Sequence, residues 1–122
     1  MTGPPEPLVG GALNQAIANA VVRSHTRLVG RGPTKAQAFY RHNIVVVIMR
    51  DTLTVGERTL VADGRVDAVH ALRLGLQPAI QAELIDLVEG LTGCVVEAFM
   101  SANHIDPDLG AQLFVLDRPI AS

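Results

Sequence analysis

The stretch Ser101-Ala102-Asn103-His104-Ile105-Asp106-Pro107-Asp108 brings a hydroxyl, an amide, an imidazole and two carboxylates close together in the chain. Such a set could move a proton or ligate a metal ion. A structural zinc site, however, usually takes four ligands, and no cysteine pair lies nearby. Asp and Asn also build turns by bonding to their own backbone. A catalytic pair would further need a nucleophile or a cleft, and the sequence shows neither. No catalytic residue, metal or cofactor is therefore expected. A second stretch, Gly30-Arg31-Gly32-Pro33-Thr34-Lys35, has the glycine and lysine of a phosphate cradle. It lacks the cradle's spacing and follows a helix, where the cradle follows a strand. A structural turn is the expectation, with its cations contributing to a basic patch. The candidate ligand- or partner-binding residues are thus Arg31, Gly32, Lys35, Arg41, Ser101, Asn103, His104, Asp106 and Asp108.

Other reactive side chains have plainer explanations. Glu57 and Arg73 fall on consecutive helices among core positions, which predicts an interhelical ion pair. Cys94 opens a strand and suits a small core residue. His25 and His70 lie on helices with no second ligand at i+4, and His42 lies in a turn.

Composition narrows the classes. Hydrophobic residues make up 48% of the 122 residues and aromatics only 3%, so the core must be aliphatic. Base-stacking nucleic-acid binders need exposed aromatic rings. The formal net charge is −2. Its distribution is uneven: residues 23–58 carry +5, through Arg23, Arg27, Arg31, Lys35, Arg41, Arg50 and Arg58 against Asp51 and Glu57, whereas residues 59–122 carry −6. Such asymmetry is expected to serve intramolecular pairing with the long helix, self-association or a charged partner. A single cysteine excludes a disulfide within the chain and fits a reducing compartment. The first residues lack the pattern of a secretory signal, and no apolar run approaches the ~20 residues that span a bilayer. A cytoplasmic protein without membrane insertion is expected.

The elements that must position these residues can be read from periodicity. Leu13, Ile17, Val21 and Leu28 mark an amphipathic helix from about Gly11 to Val29, ended by Gly30 and Gly32-Pro33. Lys35 to Arg41 is a strand, His42-Asn43 a short turn in which Asn tolerates positive φ, and Ile44–Met49 a strand buried on both faces or central in a sheet. Thr54-Val55-Gly56-Glu57 is a capping box opening a helix to about Ala62. Val69, Leu72, Leu76, Ile80, Leu84, Leu87 and Leu91 mark one side of a helix from about Val66 to Leu91, with a kink expected near Leu74 to Pro78. Cys94 to Ser101 alternates as a strand, with Val95, Glu97 and Phe99 on one face and Val96, Ala98 and Met100 on the other. Ala102–Gly110 is a connection and Leu113 to Asp117 the closing strand. The class is α+β, in α-β-β-α-α-β-β order, with an antiparallel four-stranded sheet and helices on one face. Residues 1–10 form an arm, 11–118 one domain and 119–122 a tail. The sheet face left bare predicts a homodimer, joined through the face that carries Ile44–Met49.

In combination these residues resemble the MpsC family of small bacterial proteins, described as parts of Na+-translocating, membrane-potential-generating systems. The resemblance is carried by Gly30-Arg31-Gly32-Pro33-Thr34-Lys35, Ile44-Val45-Val46-Val47, Leu53-Thr54 with Glu57 and Leu60, and Gly64-Arg65. It continues through Val69, Arg73, Leu91-Thr92-Gly93, Met100-Ser101, Asn103-His104, Asp106-Pro107-Asp108 and Phe114-Val115-Leu116. It covers about Asn14 to Asp117. Relatives look like partners of a proton-channel-type membrane subunit and a large zinc-containing subunit that take up inorganic carbon. The resemblance therefore implies a non-enzymatic accessory protein that contacts membrane transport subunits. It supplies no catalytic residues. The Arg41-His42-Asn43 turn, often acidic in relatives, and Pro78 depart from the pattern. Two alternatives remain. A KH-like single-stranded nucleic-acid binder shares the element order, but Asp63-Gly64-Arg65-Val66 has one glycine and acidic flanks, so no nucleic-acid partner is expected. A small-ligand or anion sensor would use the basic helix-to-strand loop.

Overall fold

The computed structural model describes residues 8–30 and 35–121. The arm predicted for the N-terminus falls largely on residues outside these, as do Arg31 and Gly32. Seven elements follow in order: α1 (Gly10–Val29), β1 (Lys35–Arg41), β2 (Ile44–Arg50), α2 (Val55–Ala62), α3 (Val66–Thr92), β3 (Val96–His104) and β4 (Leu109–Leu116). The strands form one antiparallel sheet in the order β1-β2-β4-β3. The predicted α+β class and element order hold. Of the two readings of Ile44–Met49, the central strand is correct: β2 pairs with β1 on one side and β4 on the other.

Local chemistry sets the boundaries. Gly30 and Gly93 end α1 and α3 in the left-handed conformation, at φ 90° and 72°. The Thr54 hydroxyl accepts from the Glu57 amide while the Glu57 carboxylate accepts from the Thr54 amide, closing both sides of the capping box. In the β1–β2 turn the positive φ belongs to His42, at 56°, and not to Asn43. The Asn43 amide instead donates to the Leu116 carbonyl at 3.2 Å, tying the hairpin to β4. α3 continues through Pro78 for 27 residues.

The structure departs from the sequence reading at several points. β3 and β4 extend to His104 and back to Leu109, so most of the predicted connection Ala102–Gly110 is strand. Asn103 reads as a turn former, but the cross-strand ladder holds it extended opposite Gly110. Strict alternation in β3 is also broken by an irregularity between Val96 and Ala98, which lets both Val96 and Phe99 pack on the core. On α3, Leu72 is 49% exposed, and Arg73 and Val88 occupy the core side with Val69, Ile80 and Leu84. Ile120, placed in a tail by the sequence, is 7% exposed and its amide donates to the His42 carbonyl at 2.9 Å.

α1 and α3 cover one side of the sheet, with Leu13, Ile17, Val21, Val45, Val47, Ile80, Leu84, Val88, Phe114 and Leu116 in the shared core. Phe99 and Phe114 meet edge to face at 5.0 Å between ring centres. Cys94 is buried in this core, as expected of a small apolar residue.

Candidate functional site

Three polar or exposed features are candidates, and the sheet's pleat separates them. Residues directly opposite one another share a face. Val47, Gln112 and Ser101 form one such row, and Met49, Gly110 and Asn103 another, both on the helix-covered side. Lys35, Arg50, Leu109 and His104 form a row on the other side. The predicted site residues are therefore split between two faces.

The helix side holds a buried polar network. Arg73, 6% exposed, donates through Nε to Glu57 Oε2 at 2.6 Å and through Nη2 to Glu57 Oε1 at 2.7 Å and the Thr52 carbonyl at 2.8 Å. Its Nη1 lies 3.3 Å from His25 Nε2. The interhelical pair read from the sequence is thus present, as a bidentate fork. Burial pushes the Glu57 carboxyl up, but hydrogen bonds from Arg73 and Thr54 and the guanidinium charge outweigh it and hold the group below its ordinary value. Asp108 continues the network: its carboxylate accepts from the Thr52 hydroxyl at 2.8 Å and the Leu53 amide at 2.9 Å. Asp108 therefore ties the β3–β4 turn to the loop before α2. These groups saturate one another, which suits locking three helices and two loops together more than chemistry on a substrate.

Beside this network a cleft of about 370 Å³ lies between α3 and β3, lined by His70, Arg73, Leu74, Gln77, Ser101, Ala102 and Asn103. Ser101 and Asn103 belong here. Gln112, cross-strand from Ser101 and 5% exposed, has an amide oxygen with no protein partner. His104 is exposed and bonds through Nδ1 to the Pro107 carbonyl at 2.8 Å, within its own turn. Asp106 is exposed in the same turn. Among the described residues no three of His, Cys, Asp and Glu gather where a metal ion could sit.

The third feature is the bare sheet face. Its centre is apolar: Phe39, Val46, Leu113 and Met100 form one row across the four strands, flanked by Ile44, Val115 and Ala98 and by Ile48, Ala111 and Ala102. Phe39, Ile44 and Met100 are 49%, 41% and 55% exposed. Lys35, Arg50 and His104 bound this patch at one end and Arg41 at the other. Acids approach this side only at the Arg41 end, where Glu97, left out of the ladder by the β3 irregularity, and Asp117, after Leu116, are both exposed. Arg50 and His70 were not among the predicted site residues. Alternation along β2 would have placed Arg50 with Lys35, whereas nothing local marks His70 as lining a cleft.

The charge asymmetry is only partly spent inside the molecule. Arg27 and Ser24 both bond to Glu83 on α3, and these contacts hold the Glu83 carboxyl below its ordinary value. No helix among the described residues is long and apolar enough to cross a membrane. Comparison with known families gives a match over residues 10–118 to the family described as "Na+-translocating membrane potential-generating system (MpsC)". No curated protein and no solved structure matches the chain. A match over nearly the whole domain, with the capping box, the Glu57–Arg73 pair and the Asp108 tie all inside it, means that the chain belongs to the MpsC family.

Proposed function

We propose that the chain is a non-enzymatic, cytoplasmic accessory subunit of a Na+-translocating or related ion or inorganic-carbon transport system, acting by docking a protein partner. Family membership supports the association with a membrane-potential-generating system. The observation that carries the docking role is the bare sheet face: an apolar centre with cations at both ends, and no acid in its paired rows. Exposed apolar patches of this kind mark interaction surfaces, and charge around them selects the partner. The fitting partner is an apolar patch bordered by carboxylates on a cytoplasmic part of a transport subunit. The test is affinity capture from the native host followed by loss of the gene. Recovery of membrane transport subunits and a fall in the Na+-dependent membrane potential are the expected results. An unchanged potential together with recovery of no transport subunit would refute the reading.

Two further results are expected. Replacing Lys35, Arg41 and Arg50 together by Ala should move Tm little, since exposed changes usually stay within about 0.5 kcal/mol each. It should weaken partner capture, and raised salt should mimic it, because exposed charges are screened beyond about 10 Å at 0.1 M. A large drop in Tm would make these cations structural. Purified protein should also show no metal-dependent hydrolase or transferase turnover. Turnover lost on His104→Ala and Asp106→Ala would overturn the non-enzymatic reading.

A small-anion sensor has one observation in its favour. A cleft of about 590 Å³ beside α1 is lined by Lys35, Arg50, Gln15, Asn19 and Gln37 with no acid among its described residues. Stabilisation by millimolar inorganic phosphate, lost in Lys35→Ala, would support it. The KH-like reading is disfavoured by the α2–α3 loop. Its amides at Asp63, Gly64 and Arg65 all donate back to α2 carbonyls, at 2.8–3.0 Å. They are not free to clamp a phosphate backbone.

A further inference from the structure

β1 and β3 are the two edges of the sheet, and they are protected differently. β1 begins with Lys35 and ends with Arg41, the charged residues that discourage a strand from pairing further. β3 has its irregularity and Glu97 at the start and His104 at the end, but the run from Ala98 to Asn103 carries no charge and no proline. Its outward backbone groups form a template for another strand.

A second unpartnered feature lies alongside. α3 is apolar on more than its core side. Leu74, Pro78, Ala82 and Ile85 repeat at helical spacing away from the core, and with Gln77 and Gln81 they line a shallow cleft of about 420 Å³. Leu74 is 73% exposed. This cleft shares Leu74 and Gln77 with the cleft that reaches Ser101 and Asn103 on β3. The bare strand edge and the bare helix stripe are therefore neighbours on one side of the molecule.

We propose that a second copy of this chain docks here, β3 against β3 in antiparallel pairing, with the two α3 stripes packed together. A two-fold axis normal to the sheet joins the sheets into one of twice the width and keeps both helix layers on the same side. Standard spacings allow this packing, since α1 lies over β1 and α3 over β3. Two helices about 10 Å apart, centred over four strands about 4.8 Å apart, put α3 about 5 Å from such an axis. The two α3 helices then lie about 9–10 Å apart, ordinary contact distance. Charge favours this edge over the bare face that the sequence reading assigned to the dimer. A copy stacked face to face brings the paired cations Lys35 and Arg50 of both chains to one interface, and the acids nearest this face, Glu97 and Asp117, lie at its opposite end. Along the edge, the only charged residue lining either cleft, His70 aside, is Arg73, already neutralised by Glu57. The bare face then stays open to the transport partner, and this proposal stands independently of that one.

Light scattering with exchange mapping tests the proposal. The native protein should have twice the 13.0 kDa chain mass at micromolar concentration. Leu74→Glu, at a side chain free of the monomer's core, should weaken the dimer about tenfold or more. Phe39→Glu, on the bare face, should leave it intact. On dilution, amide protection should fall over residues 96–104 in step with dissociation and stay unchanged over residues 35–41. A native monomer at 100 μM overturns the proposal. So does a dimer broken by Phe39→Glu and kept by Leu74→Glu. If Leu74→Glu fails to fold, the dilution experiment decides, and protection of 96–104 that ignores concentration overturns it.

Discussion

Arg73→Ala should cost about 3–5 kcal/mol of stability, the range for breaking a buried ion pair from one side. Total stability of a domain is about 5–15 kcal/mol, so the variant is expected to lie at or near unfolding at 37 °C. The loss exceeds that of an ordinary polar contact because Arg73 serves several elements at once. Its fork holds both Glu57 oxygens on α2, its Nη2 holds the Thr52 carbonyl before α2, and its Nη1 faces His25 on α1. Removing it leaves a carboxylate that is 2% exposed without its cation. Arg73→Lys should recover little, since one ammonium cannot reproduce the fork. The Glu57→Gln and Arg73→Ala changes combined should cost less than their sum, because each alone strands the other's charge. Acid should act through the same pair. Glu57 is held below its ordinary value in the folded chain, so it binds a proton less readily there than when unfolded. Its contribution is complete above the ordinary carboxylate range and is lost as pH falls through and below it. Denaturant melts between pH 7 and pH 3 should show a steeper loss for the native chain than for Glu57→Gln. Equal slopes would mean that the pair contributes nothing to acid stability.

Much of this was legible in the sequence because short-range signals carried it. The Thr54–Glu57 capping box, the glycines at 30 and 93 and the β-branched run of β2 each announce themselves within a few residues. The Glu57–Arg73 pair could be inferred because both residues sit on core-facing positions of adjacent helices. What was missed depends on contacts across the fold. The β3–β4 hairpin looked like a loop because Asn103, His104 and Asp106 are turn formers, and only pairing with the neighbouring strand keeps the first two extended. Asp108 read as one carboxylate of a possible site, yet its partners Thr52 and Leu53 lie more than fifty residues away in sequence. The periodic stripe of α3 misplaced Leu72 by one position because the helix is apolar around much of its circumference. A side chain there can turn either way without leaving an obvious trace in the pattern.

Two neighbouring residues of β2 should answer the same substitution in opposite ways, which tests both the pleat and the role of the bare face. Val47→Asp should abolish folding. Val47 is fully buried beneath the helices in the apolar core, where a carboxylate is cut off from water, so the cost of several kcal/mol approaches the whole stability of the domain. Val46→Asp should fold. Val46 points to the bare side between Phe39 and Leu113, is only half-buried, and leaves its new carboxylate in reach of water. A loss of about 1 kcal/mol, typical of a point change, is expected in urea melts. Capture of the transport partner should nevertheless fail, because the charge lies at the centre of the apolar patch and has the sign of the carboxylates expected around the partner's own. The dimer joined at β3 should persist. Equal destabilisation by the two changes would mean that both faces of β2 are covered in the monomer. A folded Val46→Asp protein that still retains the partner would move the docking surface elsewhere.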